Sequence, residues 1–192
     1  MRCGVVALQG DWQAHLGALE RAGAAGSPVR TAEELDGIDA LVLPGGESTV
    51  VLHLLQREGW MERLTARLHD GLPVLATCAG LILLARDVVP DQPSLGLLDV
   101  GVRRNAYGRQ IASAIVPVRL SKALADPQEM DGVFIRAPRI ERVGSGVEVL
   151  GWRGNDPVLV RQGPIVAATF HPELTKDDRV HRYFLDVAGG RI

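Results

Sequence analysis

Two distant stretches of the chain hold residue types that together suit acyl transfer. Thr77-Cys78-Ala79-Gly80 stands between an apolar run opened by Pro73 and a second run, Leu81-Ile82-Leu83-Leu84-Ala85. The first run reads as a buried strand and the second as a buried helix. The chain must therefore turn sharply at Cys78, among the small residues Ala76, Thr77, Ala79 and Gly80. Such a strand–nucleophile–helix elbow leaves a thiol uncovered at a helix start, where the helix dipole favours the reactive thiolate. A buried packing cysteine fits the same context equally well, so the base has to decide. His15, His53, His69 and His181 fall inside amphipathic helical patterns that suit packing or surface roles. His171 instead follows an apolar strand, is held extended by Pro172, and has Glu173 two residues on to orient its imidazole. Cys78, His171 and Glu173 are nucleophile, base and orienting acid in the general triad arrangement. A capping histidine with a surface glutamate is the plainer alternative.

An acyl-transfer site also needs donors for the oxyanion. Pro44-Gly45-Gly46-Glu47-Ser48 follows a strand, and its glycines permit backbone conformations that turn N–H groups into a site. The Gly46 and Ala79 N–H groups are the candidates. A tight strand-to-helix turn capped by Ser48 explains the same residues without chemistry. The stretch lacks the spacing and lysine of a phosphate-binding loop.

The elements that must position these residues follow from hydrophobic periodicity. Residues 3–8, 28–30, 39–43 and 73–77 read as strands, with helices from Trp12, near Ser48 and over 61–68 between them. This alternation predicts an α/β fold, an open and mostly parallel sheet flanked by helices. Residues 87–96 read as a Pro-containing loop. Beyond it, β-rich runs at 98–102, 111–118, 133–135, 147–152 and 157–161 predict a mixed or antiparallel extension. A last buried strand over 164–170 leads to His171, and Thr175 with Asp178 reads as the cap of a final helix. The 192 residues suit a single domain spanning 1–192. A net charge of −2 gives no reason to invoke nucleic acid or an anionic membrane. No apolar stretch approaches the roughly 18 residues of a membrane helix. Two cysteines make no disulfide framework, and a cytoplasmic location is expected. Cys3 reads as a core residue, and the Cys and His residues are too few and too dispersed for a zinc site.

Thr-Cys-Ala-Gly at an elbow with a distant His-Pro-Glu resembles the signature of the class I (triad) glutamine amidotransferases. Further stretches narrow the resemblance: Val6-Ala7-Leu8-Gln9-Gly10, Pro44-Gly45-Gly46-Glu47-Ser48-Thr49, Gly96-Leu97-Leu98-Asp99-Val100, Arg104-Asn105-Ala106-Tyr107-Gly108-Arg109-Gln110 and Phe134-Ile135-Arg136-Ala137-Pro138. Together, over essentially the whole chain, they look like the glutaminase subunits of pyridoxal 5'-phosphate synthase, the PdxT/SNO family. Ala76 departs from the family's usual glycine before Thr-Cys, and a slight backbone adjustment is expected there. The resemblance implies hydrolysis of L-glutamine through a glutamyl thioester, with no metal or organic cofactor. The ammonia would pass to a separate (β/α)₈-barrel synthase subunit for vitamin B6 biosynthesis. It implies glutamine contacts at Gly46, Glu47, Ser48, Arg104, Ile135 and Arg136, and a classification as lyase as well as hydrolase. For Arg104 and Arg136 singly, a solvated surface arginine is the plainer reading. A cysteine peptidase on a related α/β fold and a non-catalytic regulatory subunit are the rival functions.

Overall fold

The computed structural model describes residues 1–57, 59–106, 113–124 and 128–192. Its first half alternates strand and helix: β1 (Cys3–Val6), α1 (Trp12–Arg21), β2 (Gly26–Val29), β3 (Ala40–Leu43), α2 (Ser48–Leu55), α3 (Trp60–His69), β4 (Val74–Thr77) and α4 (Ala79–Leu84). The second half is built of strands: β5 (Ala85–Val89), β6 (Leu98–Arg103), β7 (Ser113–Leu120), β8 (Glu129–Ile135), β9 (Arg139–Val143), β10 (Glu148–Arg153), β11 (Asp156–Gln162) and β12 (Ile165–Ala168). Helix α5 (Arg179–Ala188) closes the fold.

Nine strands form one sheet in the order β2-β1-β3-β4-β12-β11-β10-β7-β8. Neighbours are parallel from β2 to β12 and antiparallel from β12 to β8. This is the α/β sheet with an antiparallel extension that the hydrophobic runs predict. Strands β1, β3, β4 and β12 are buried along their whole length because helices cover both faces. The two-residue alternation divides their side chains. Leu41, Leu43, Val74 and Ala76 join Leu55, Trp60, Leu64 and Leu81 in one apolar cluster. Ala40, Val42 and Leu75 join Leu19, Phe170 and Phe184 in the other. The C-terminal ends of β1, β3, β4 and β12 lie at one edge, and the loops beyond them carry Gln9, Gly45–Gly46, Cys78 and His171. That edge is where open α/β sheets bind ligands.

The antiparallel extension curls. Although β8 is last in the sheet order, the His171 N–H donates to Val133 O at 2.8 Å. The Phe134 and Phe170 rings stand 5.5 Å apart at the same seam. Strand β8 thus returns to the chain beyond β12 and brings Ile135 and Arg136 over the loop edge.

The structure corrects three local expectations. Part of the expected 87–96 loop is strand: β5 continues directly from α4 and pairs parallel to β6. Its Arg86 and Asp87 side chains are exposed, which hid the strand from a search for apolar runs. Strand β9 completes this second, three-stranded sheet in the order β5-β6-β9. Its alternating charges are paired across strands, with Arg142 bridging Asp87 at 2.7 Å and Asp99 at 2.8 Å. The last helix begins at Arg179, not near Thr175, whose hydroxyl serves a local turn by donating to Pro172 O at 3.1 Å. Residues 111 and 112 of the predicted run 111–118 lie outside the described residues. Among the described residues, no helix is long and apolar enough to cross a membrane.

Candidate functional site

Cys78 is the single residue between β4 and α4, with φ 47° and ψ −100°. A non-glycine residue at positive φ is strained and persists only where its surroundings over-determine it. Here the Cys78 N–H donates to Ala168 O at 2.8 Å, and its carbonyl accepts from the Ile82 N–H at 3.2 Å. Gly80 lets α4 press on β3, since a Cβ there would stand 2.4 Å from Leu43 O. Ala76 is fully buried in register with Leu43 and Ala167, so its methyl group is accommodated inside the apolar core. The thiol faces Ile135 O at 3.9 Å. Ala79 opens α4, and its N–H is among those a helix leaves without an intrahelical acceptor.

His171 follows β12, its backbone N–H fixed on Val133 O, and Pro172–Leu174 form a 3-10 turn that brings Glu173 back beside it. His171 Nδ1 donates to Glu173 Oε1 at 2.7 Å. Both residues are buried. Burial alone would lower the His171 pKa, but hydrogen bonds and charge from Cys78 and Glu173 outweigh it and push it up to about 10. Its two neighbours thus favour the protonated imidazole.

The loop after β3 needs its glycines for space. Neither Gly45 nor Gly46 has positive φ. A Cβ on Gly45 would stand 2.3 Å from His171 Cε1 and 3.2 Å from Cys78 Cβ. One on Gly46 would stand 2.1 Å from Gln9 Oε1. The Gly45 N–H donates to Thr77 Oγ1 at 2.9 Å, and the Glu47 N–H to Gln9 Oε1 at 3.1 Å. The cap of α2 is Glu47, whose carboxylate accepts from the Val50 N–H at 3.0 Å. Ser48, the expected cap, donates to Gln92 Oε1 at 3.0 Å instead.

These residues surround a cavity of about 230 Å³. That is below the range of about 300–1,000 Å³ typical of drug-sized ligands and suits a small metabolite. Cys78, His171, Gly46, Glu47, Ser48, Arg104, Ile135 and Arg136 all line it, whereas Glu173 and Ala79 do not. Arg104 Nη2 lies 3.7 Å from Glu47 Oε1 and donates to Thr49 Oγ1 at 3.1 Å. The rim therefore carries one cation and one carboxylate side by side. Arg136 is exposed at φ 44°, a second strained residue over the cavity. Tyr107, Gly108, Arg109 and Gln110 lie outside the described residues.

Two neighbours of these residues were not singled out in the sequence reading. Gln9 was part of a recognised stretch, but its grip on the Gly46–Glu47 backbone required the fold. His15 sits on the buried stripe of α1 with Ala18 and Leu19, a position that reads as packing. The structure buries it there and also brings its Nε2 within 3.4 Å of Glu173 Oε2.

The arrangement is one that could support acyl transfer to a cysteine thiol. The model of the SNO glutamine amidotransferase family matches residues 5–188. The chain is 48% identical over 188 residues to a protein of Thermotoga neapolitana named pyridoxal 5'-phosphate synthase subunit PdxT, covering 97% of this chain and 99% of that one. It is 51% identical over 194 residues to the protein of the same name from Parafrankia sp., covering 100% and 95%. A crystal structure of a glutamine amidotransferase superposes with a TM-score of 0.90 at 48% identity, covering 97% of this chain and 98% of that one. The fold alone is shared with PurLQS from Thermotoga maritima, at a TM-score of 0.74 and 17% identity over 96% and 97% of the two chains.

Proposed function

The chain belongs to the SNO glutamine amidotransferase family, and from that premise we propose how its own residues hydrolyse L-glutamine to L-glutamate and ammonia. It is a glutaminase subunit of pyridoxal 5'-phosphate synthase and supplies ammonia for that synthesis. One expectation is corrected: the chain is a hydrolase and not itself a lyase, since its family is one of glutamine amidotransferases and its relatives are named as one subunit of the synthase. The whole chain, 1–192, is read as one glutaminase domain, in keeping with a family match over 5–188.

In the proposed mechanism, Cys78 Sγ attacks the side-chain amide carbon of glutamine. The N–H groups of Gly46 and Ala79 stabilise the tetrahedral oxyanion. His171, held by Glu173, protonates the departing ammonia and then takes a proton from the water that hydrolyses the glutamyl thioester. The Glu47–Arg104 pair at the rim suits the ammonium and carboxylate of an α-amino acid, with Ser48, Ile135 and Arg136 around it. The observation that carries this reading is the 2.7 Å His171–Glu173 bond beside a strained Cys78 in one cavity.

We further propose that the acceptor of the ammonia is a (β/α)₈-barrel synthase subunit, that the pair works in the cytoplasm, and that neither nucleic acid nor membrane takes part. Docking would turn a backbone N–H of Gly45–Gly46 toward the oxyanion. In support, the Gly45 N–H is taken up by Thr77 Oγ1 at 2.9 Å. Glutamate release measured with and without the synthase subunit tests both ideas. A strong rise on mixing, blunted in Gly46→Val and absent in Cys78→Ala, is expected. Equal rates for the chain alone and the mixture would remove the gating, and an active Cys78→Ala would remove the triad.

A further inference from the structure

Two buried histidines have no part in this mechanism. His15 on α1 and His181 on α5 are both fully buried, with His15 Nδ1 3.1 Å from His181 Nε2. The other ring nitrogen, His15 Nε2, lies 3.2 Å from Thr77 Oγ1 and 3.4 Å from Glu173 Oε2. Glu173 orients His171, and Thr77 Oγ1 accepts the Gly45 N–H. We propose that His15 is a positioning residue of the glutaminase site, whose Nε2–H holds Glu173 Oε2 and so fixes the carboxylate that orients His171. The inference rests on the Cys78–His171–Glu173 reading.

The case begins with the unmet needs of a buried carboxylate. The Glu173 side chain is 1% exposed. Its Oε1 is taken by His171, while Oε2 is buried and makes no hydrogen bond of good geometry among the described residues. A buried carboxylate oxygen without a donor is costly, and a carboxylate held at one oxygen can still rotate about its terminal bond. His15 Nε2 lies 3.4 Å from that oxygen and 3.2 Å from Thr77 Oγ1, between the two. A turn of the Nε2–H from Thr77 Oγ1 toward Glu173 Oε2 would satisfy it.

Proton placement follows from the same contacts. A lone pair on Nε2 would face the carboxylate and repel it, so we place the hydrogen on Nε2, between Glu173 Oε2 and Thr77 Oγ1, and leave Nδ1 as an acceptor. His181 Nε2–H then donates to His15 Nδ1, which leaves His181 Nδ1 bare. That atom is indeed buried without a partner, and a bare nitrogen is cheaper to bury than an orphaned N–H. The hydrogen bonds then form one line from α5 through His181, His15 and Glu173. There they meet the one His171 donates from the opposite side.

The groups packed around His15 are Glu173, Thr77, His181 and, beyond the carboxylate, His171; His181 in turn faces Arg21 and Asp178. Burial holds the His15 pKa well below its ordinary value, and the His181 and His171 charges push the same way. Burial likewise lowers His181 to about 4, helped by Arg21 and opposed by Asp178. A neutral donor fixes the carboxylate without cancelling its charge, which stays available to His171.

The test uses the full chain with saturating synthase subunit and has four readouts. His15→Leu should lower kcat roughly ten- to a hundredfold, the range for a hydrogen bond to a charged group, with KM for glutamine within about twofold. His15→Gln, which keeps an N–H donor, should recover most of that loss. In a Glu173→Gln background His15→Leu should cost nothing further, because it acts through Glu173. Nitrogen NMR of the unsubstituted protein should find His15 as the Nε2–H tautomer, a result that stands even if His15→Leu fails to fold. Unchanged kcat in His15→Leu, equal losses in the Leu and Gln variants, additive loss with Glu173→Gln, or an Nδ1–H tautomer would each overturn the proposal. Cys78→Ala separates the two levels: if it is active the triad reading fails, and if it is inactive such results sink only the role of His15.

Discussion

Gly45→Ala should disable the base without touching any side chain that takes part in the chemistry. Gly45 is not at positive φ, so alanine brings no backbone strain, and the perturbation is one methyl group placed 2.3 Å from His171 Cε1 and 3.0 Å from Nδ1. Carbon atoms rest about 3.5–4.0 Å apart, so the imidazole must retreat by more than about 1 Å. Retreat is blocked on two sides. The 2.7 Å bond to Glu173 Oε1 fixes the ring, and the Val133 carbonyl fixes the backbone behind it. A misplacement of about 1 Å costs about 10² in rate, and loss of general acid–base catalysis about 10²–10⁴. Gly45→Ala should therefore lower kcat by about 10²–10⁴ in the assembled synthase and leave KM for glutamine nearly unchanged. Overpacking of this kind destabilises by about 1–3 kcal/mol, a fall in Tm of about 2–12 °C for a chain this size. Gly46→Ala is the control. Its methyl meets the flexible end of Gln9 at 2.1 Å, so Gln9→Ala should relieve that clash, whereas no such partner exists for Gly45. Steady-state glutamate release and thermal unfolding measure both effects. A Gly45→Ala enzyme with kcat within about threefold of the parent would refute the reasoning.

A glutamine-like electrophile should label Cys78 alone, because burial pushes the Cys3 thiol up to about 12 and leaves it 1% exposed; peptide mass spectrometry placing label on Cys3 would count against it. Glu173→Gln should slow turnover with little change in KM, and His171→Asn should cost more because it removes the proton carrier; equal, unimpaired rates in both would put the base elsewhere. The His171 pKa lies above its ordinary value of 6.5, at about 10, so the stability drawn from its protonated form is complete below about pH 6.5 and lost as pH rises through about 10. Cys78→Ala removes the contributions of the thiol and should lower that pKa; an NMR titration giving the same value in both proteins would show that Cys78 does not set it.

The parts of the site legible in the sequence are those whose neighbours along the chain reveal them. Cys78 sits between a strand run and a helix run, and Glu173 stands two residues from His171, so local spacing reports both. His15 had no such signal. A histidine on the same helix face as the buried Ala18 and Leu19 looks like packing until α1 is laid against Glu173, 158 positions away in sequence but 3.4 Å away in space. The glycines were read for conformational freedom alone: their φ angles are not positive here, and what forbids a side chain is the approach of His171 and Gln9, which only the fold reveals. In the fold, the apolar parallel strands were plain. Strands β5 and β9 were hidden because their exposed faces carry Arg86, Asp87, Arg139, Glu141 and Arg142, whose ion pairs form only once the strands are assembled.

The curl of the sheet dictates when the chemistry can first exist. One strand, β8, supplies both Val133 O to the His171 backbone and Ile135 O to the Cys78 thiol. It is also the strand farthest from β4 in the hydrogen-bonded order. A chain emerging from the ribosome, or one halted with only β1 to β4 and α4 in place, carries its thiol on the elbow but lacks His171, Glu173 and the β8 edge that closes the cavity. Non-local strand pairings of this kind form late, after loop closure has been overcome. Glutaminase activity thus reports completion of the fold: a truncated or half-assembled subunit consumes no glutamine, and the cell meets the hydrolase only when the last seam has shut.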